Sequence, residues 1–322
     1  MSNSSNLYNN LLKDAVNNKN KLSNQTIVEL RKLYSNVADD LIKKLSTAKG
    51  GFTKAWLADY EKYVRYKMLE LDNNLVGLTS DSIKSSAEIA ASVQGDFLSY
   101  INNKYKLDID KEVIQFAYNT NSKVIGQIIQ GGFYKDNRSL SDRIWTYSNG
   151  TTKDIQYVLT KGIAEQKSYL EIIKGLEKYV NPNSKKDWNF GQVYPSLRNK
   201  TVDYNAQRLL RTSMNHMFYA QNISNAKNNP YAEAMHWELS PEHGARQVDR
   251  FGEDECDDYA NSDYYNLGQG NFPVDKVPMP HPNCLCIQTI VIPKSLDEIG
   301  RELGQWINGK EINYLDEWLK GA

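Results

Sequence analysis

Apolar side chains recur every three or four residues through the first hundred positions, a period that amphipathic helices satisfy and strands do not. After Ser23 the stripe runs Ile27, Leu30, Tyr34, Val37, Leu41 and Leu45, and the pair Gly50-Gly51 breaks it. A second stripe carries Trp56, Tyr60, Tyr63, Val64, Met68 and Leu71; a third, from Ser82, carries Ile83, Ala87, Ala90, Phe97 and Ile101. Stripes of this kind bury themselves against one another, so residues 1–110 are predicted to form a helical bundle or a long antiparallel hairpin. Their Trp and Tyr positions read as core or partner-facing surface rather than a cofactor box. The opening to about Asn20 is polar and Asn/Lys-rich, which reads as flexible.

Beyond Asp108 the helical reading continues with more punctuation. One helix is expected over 111–129, ending at Gly131-Gly132, and short pieces over 140–145 and 151–161, with Ser139 as the N-cap of the first. Leu170, Ile173 and Leu176 make a short apolar face before the Asn181-Pro182 break, and 205–227 reads as a strong helix. At Tyr231 the texture changes: 234–239 reads as a strand, turn-rich acidic and aromatic sequence follows, and the β-branched run 286–292 is the clearest strand. Residues 295–319 return to helix, interrupted at Gly309. The fold class is therefore mainly α: an extended helical N-terminal region followed by a small α+β module. The expected boundaries are 1–110, 111–292 with a Cys/His module at about 231–292, and a helical tail at 293–322.

The formal net charge of zero hides an asymmetry. Residues 231–322 hold 17 acidic and 7 basic side chains, a net of −10, which leaves +10 on residues 1–230. Two ordinary solvated faces or two surfaces with different partners both fit. The basic excess is diffuse, so contact with DNA would be salt-sensitive. No run of about 18 apolar residues exists to span a membrane, and the opening lacks the apolar core of a signal peptide.

All three cysteines lie between His243 and Cys286, and the tight part is His281-Pro-Asn-Cys284-Leu-Cys286. Two cysteines spaced by two at a strand start share a face and can point at one ion. Cys256 comes from the preceding loop, and His281 reaches back over the turn. Three thiolates and an imidazole suit a closed, structural zinc site, with His243 as a fifth candidate that could replace His281. Two other readings compete: inert buried thiols, or a disulfide from Cys256 to Cys284 or Cys286. The acidic run Glu253-Asp254-Glu255 beside Asp257-Asp258 has the donors for a divalent ion but reads rather as a solvated loop.

His236-Trp-Glu238 with Pro282-Asn-Cys284-Leu-Cys286 is a near miss to the zinc deaminase pattern. That chemistry needs cysteines three apart at a helix start, whereas these are two apart and lead into a strand. No HExxH, GxSxG, P-loop or Rossmann glycine set is present. The expectation is a non-enzymatic chain, and the alternative is a zinc-dependent, deaminase-like enzyme acting on nucleic acid or nucleotide.

Several segments, in order, resemble one family: 139–145 (SLSDRIW), 206–212 (AQRLLRT), 237–240 (WELS), 255–260 (ECDDYA), 272–278 (FPVDKVP) and 281–286 (HPNCLC). This order is similar to that of the Mu F-like minor head proteins, the phage head morphogenesis family of tailed phages and prophages. The match covers about residues 110–292 and is strongest near its end. Leu285 stands where many relatives carry Arg, and Cys256 stands alone where many carry C-x-x-C. The resemblance implies a minor capsid protein recruited to the procapsid through the portal protein, assembled in the host cytoplasm and housed in the virion. It also implies a role in head assembly and in DNA packaging or ejection, with scaffolding or major capsid protein and packaged DNA as further partners. Arg208, Arg211 and Thr212 match its helix motif and are expected to brace that helix against the metal module; an exposed helix face is the other reading. About 30 residues follow Ile292, too few for the toxin or enzyme domains fused in some relatives.

Overall fold

The computed structural model describes residues 2–48, 51–184, 188–195, 197 and 201–321. Helices dominate: α1 (Asn3–Leu45), α2 (Lys54–Tyr105), α3 (Lys111–Ala117), α4 (Ser122–Gln130), α5 (Leu140–Ala164), α6 (Tyr169–Val180), α7 (Trp188–Val193) and α8 (Tyr204–Lys227). After β1 (Ala234–Glu238) come a π-helical turn (Gly244–Val248), the single turn α9 (Asp249–Phe251) and α10 (Glu255–Asn261). Strands β2 (Asn271–Phe272) and β3 (Ile287–Val291) and helices α11 (Leu296–Ile307) and α12 (Asn313–Gly321) complete the order. The mainly α class with a small α+β module is thus the observed one. No helix among the described residues is long and apolar enough to cross a membrane.

Two compact units form, and neither follows the expected boundaries at 110 and 292. One combines Met1–Leu22, Ile83–Gln127 and Thr212–Ala322; the other combines Ser23–Ser82 and Ile128–Arg211. The reason is helix length: 43 residues in α1 and 52 in α2 are more than one small core can cover, so α1, α2 and α8 each contribute to both.

In the second unit the predicted stripes pair antiparallel. Ile27, Leu30, Tyr34, Leu41 and Leu45 of α1 are buried, as are Tyr60, Val64, Met68 and Leu71 of α2, while Val37 lies at the edge of its stripe. Lys67 bridges to Asp40 at 2.8 Å, Lys44 to Asp59 at 2.9 Å, and the Tyr60 hydroxyl donates to the Leu41 carbonyl at 3.1 Å. Gly50 lies outside the described residues. Helix α5 is continuous where two short pieces were expected: around Gly150 the Ser148, Thr151 and Thr152 hydroxyls bond to carbonyls four residues back within the helix. Ser139 caps it as predicted, in a capping box with Asp142.

The first unit holds the sheet, ordered β2-β1-β3 with both pairings antiparallel. Met235 faces Phe272 on one side and Ile290 on the other, and Trp237 beside them is buried. Here the opening residues are ordered, contrary to the flexible reading. Tyr8, Leu12 and Ala15 are buried, with Tyr8 edge-on to Phe97 at 5.4 Å. The polar side chains ahead of them satisfy backbone that follows β3: Ser5 accepts from the Ile292 N–H at 2.9 Å, Ser4 donates to the Lys294 carbonyl at 2.7 Å, and Asn3 accepts from the Leu296 N–H at 2.8 Å. The expected helix over 111–129 is split between α3 and α4, where Asn121 turns its carboxamide onto the Val124 N–H at 3.2 Å. The residues after 292 pack into this unit, burying Leu296, Ile299, Leu303 and Leu315.

Helix α8 carries an unusual number of buried amides. Gln221 accepts from the Asn121 N–H at 2.9 Å, Asn222 donates to the Gln288 carbonyl at 3.3 Å, and Asn225 donates to the Ala90 carbonyl at 2.7 Å. These bonds tie α8 to the loop before α4, to β3 and to α2.

Two outcomes follow from the packing. The Tyr118 ring lies over Gly95, where an added Cβ would come within 2.4 Å of it. Gly→Ala inside a helix ordinarily gains about 1 kcal/mol; Gly95→Ala is expected instead to cost about 1–3 kcal/mol in urea unfolding. In the second unit, Asp72 is buried and accepts from the Ser148 hydroxyl, with no ion pair among the described residues. Burial holds its carboxyl above the usual range, against the lowering effect of Ser148. The folded chain therefore binds that proton more tightly than the unfolded one, and stability falls as pH rises through the folded value. Asp72→Asn is expected to raise the melting temperature at pH 7 and leave it unchanged near pH ~3, where both states are already protonated.

Candidate metal centre

Cys256 is placed by a helix start. Asp254 caps α10 with its carboxylate on the Cys256 N–H at 2.9 Å, and Asp257 returns a carboxylate to the Asp254 N–H at 2.8 Å. This D-x-x-D box points the Cys256 thiol inward, with no exposure. The acidic run read as a solvated loop thus contains two structural carboxylates.

Cys284 and Cys286 are placed by α8. Thr212, His216 and Tyr219 lie on one face of that helix, three and four residues apart. Thr212 accepts from the Asn283 N–H at 3.0 Å, His216 Nε2 meets the Pro280 carbonyl at 3.0 Å, and the Tyr219 hydroxyl donates to the Val277 carbonyl at 2.8 Å. The proline-rich approach is therefore laid along α8, and Asn283 turns at φ 67° to deliver Cys284. Both cysteines stand just before β3, which begins at Ile287 rather than at Cys286.

All three thiols are free and buried, and their sulfurs lie within 4.8 Å of one another. Cys256 Sγ is 3.6 Å from Cys284 Sγ, and Cys286 Sγ is 3.7 Å from His243 Nδ1. A tetrahedral zinc with bonds of about 2.3 Å to sulfur and about 2.0 Å to nitrogen has edges of about 3.8 Å (S···S) and about 3.5 Å (S···N). The three thiols could hold a metal ion, and the two measured separations are close to such edges.

The two candidate histidines are engaged differently. His243 is 8 % exposed, and its Nε2 lies 2.9 Å from Asp257 Oδ2, so a proton shared there leaves the Nδ1 lone pair facing Cys286. His281 sits at the rim, with Nε2 3.2 Å from Asp254 Oδ2 and Nδ1 3.1 Å from the Pro282 carbonyl. It groups with Asp254 and Cys256, as His243 does with Asp254 and Asp257; neither imidazole groups with all three thiols. Of the α8 motif, Thr212 makes the contact with the cysteine segment described above, Arg208 is exposed, and Arg211 is half-buried. His236 and Glu238 stand on β1, hydrogen-bonded to Asn271 at 2.9 Å and 3.6 Å from Lys13 respectively.

Charge is unevenly shared within the cluster. Hydrogen bonds from Cys256 and Cys284 hold Cys286 far below the ordinary thiol range, while the hydrogen bond to Cys284 drives Cys256 far up. Burial opposes a charged His243, but Asp257 and the charge on Cys286 raise it above its usual value. Lys19 of α1 is also buried, at 3 % exposure. Desolvation lowers its ammonium to about 8. Sequence spacing could have revealed Asp254/Asp257 and the 212/216/219 stripe; nothing in the Asn/Lys-rich opening marks Lys19.

Cobalt(II) titration followed by thiolate charge-transfer absorption separates the two histidines. His243→Ala is expected to weaken binding by about 100-fold, Asp257→Asn by about tenfold and His281→Ala by less than about threefold. Equal losses for both histidines would show that His243 has no special place. No protein-family model, no curated protein and no solved structure matches this chain.

Proposed function

We propose that this chain is a minor capsid protein of a tailed phage, recruited to the procapsid through the portal protein, with a structural zinc ion stapling its C-terminal module. The observation that carries the reading is the HPNCLC segment, read in its place after the motifs over 139–145, 206–212 and 255–260, and delivered by α8 onto Cys256. Cys256, Cys284, Cys286 and His243 are the ligands in this reading, and the zinc ties the loop after β1, the start of α10 and the turn before β3 to one another. Four protein ligands leave no open coordination position, which favours a structural over a catalytic ion. His281 and Asp254 then close the outer side of the site.

The rest of the chain suits assembly. Leu69 and Trp145 are 57 % and 58 % exposed and line one cleft with Arg65, giving a protein partner such as the portal an apolar anchor with a charged rim. The +10 on residues 1–230 tolerates packaged DNA nearby, and any such contact is expected to fall steeply between low and physiological salt.

Quantitative mass spectrometry on purified particles, beside the soluble fraction of the same lysate, tests the assignment. A few copies per particle, co-purifying with portal, are expected; absence from every particle fraction overturns the head-protein reading. Elemental analysis of the purified chain is expected to give one zinc per molecule, with chelation lowering the melting temperature by several degrees. A chain without zinc, indifferent to chelator, overturns the metal reading alone.

A further inference from the structure

We propose that Asp254, Cys256 and His281 form a second metal site, which takes a zinc-like divalent ion and shares the Cys256 thiolate with the first. The proposal rests on the zinc reading above. One ligand atom from each of these three residues lies within 4.8 Å of the others, and Cys256 is common to this group and to the three-thiol group. Nitrogen, oxygen and sulfur donors together suit zinc or cobalt better than a hard cation such as magnesium or calcium.

The hydrogen bonding of His281 asks for a cation. Its Nδ1 lies 3.1 Å from the Pro282 carbonyl, which can only accept, so the ring proton sits there. Nε2 then turns a lone pair toward Asp254 Oδ2 at 3.2 Å, which sets two acceptors face to face. Asp254 Oδ2 has no other partner among the described residues, because the cap on the Cys256 N–H uses Oδ1. A proton on Nε2 would join the pair with a single positive charge. A divalent ion brings two and engages the Cys256 thiolate as well. One such ion among three thiolates, Asp254 and Asp257 leaves a net charge of −3, and a second reduces it to −1. The site also opens outward. The His281 side chain is 28 % exposed and borders a cleft of about 210 Å³ lined by Arg246, Gln247 and Phe251. Three protein ligands leave a fourth position for water on that side, so this ion exchanges and is lost during purification while the four-ligand ion stays.

The experiment titrates zinc into the full, chelator-stripped chain as wild type, His281→Ala and Asp254→Asn, with bound ions counted by competition against a chromophoric chelator. Wild type is expected to take two ions, the second at least about 100-fold more weakly than the first. His281→Ala is expected to lose the second ion and to hold the first within about threefold of wild type. Asp254→Asn, which caps α10 as well as Asp does, is expected to weaken the second ion by about tenfold or more. With cobalt(II) in both sites the shared thiolate couples the two spins, so the paramagnetic resonance of the first ion is expected to fall as the second binds. A wild-type chain that stops at one ion under saturating zinc overturns the inference and leaves the zinc reading standing. So does a second ion that both variants keep, or a pair of cobalt signals that simply add. Loss of the first ion in His281→Ala overturns it too, because His281 is then a ligand of the thiol site. A wild-type chain that takes up no zinc overturns both.

Discussion

Side-chain hydrogen bonds from one helix to backbone groups elsewhere hold the site-bearing unit together. On α8, Thr212, His216 and Tyr219 receive the loop that ends at Cys284, while Gln221, Asn222 and Asn225 hold the loop before α4, β3 and α2. Asn is a poor helix former because its amide competes for nearby backbone. Here that competition is turned outward: the amides serve carbonyls and an N–H that packing has removed from water, where a missing partner costs about 1–3 kcal/mol. The position of the thiols is therefore a property of α8 as much as of the cysteine segment itself.

The thiol cluster gathers separate pieces of the chain. Cys256 arrives from a two-turn helix, Cys284 and Cys286 from a turn, and His243 from the loop after β1. An ion bound there would close chain loops much as a disulfide does, with the difference that its strength would follow metal supply. Asp257 belongs to the capping box of α10 and to the His243 imidazole at once, so the helix start and the imidazole beside Cys286 are ordered by the same carboxylate.

Local periodicity was readable and tertiary choice was not. The stripes of α1 and α2 could be named because a period near 3.6 leaves few alternatives, and the paired cysteines could be named because alternate residues share a side. The single helix α5 was hidden by Ser148, Asn149 and Gly150, residues that suggest a break yet here bond back to the helix or face open space. The ordered opening was hidden because Asn3, Ser4 and Ser5 look like solvent-facing residues until the backbone they serve is known. Which histidine turns toward the thiols depends on a carboxylate fourteen residues from His243, and no spacing rule carries that information. The two units were invisible because the helices that build them pass from one to the other without any change in pattern.

Asn3, Ser4 and Ser5 grip backbone some 290 residues away, and this sets an order of events during synthesis. The unit made of residues 23–82 and 128–211 has all its parts once translation passes Arg211. The other must wait until the segment after β3 emerges, roughly 80 residues later, or several seconds at about 5–20 residues per second. During that interval Tyr8 already has Phe97 of α2 to meet, while Asn3, Ser4 and Ser5 still lack the backbone they hold. The backbone partners of Asn3, Ser4 and Ser5 are thus among the last parts of this unit to be made.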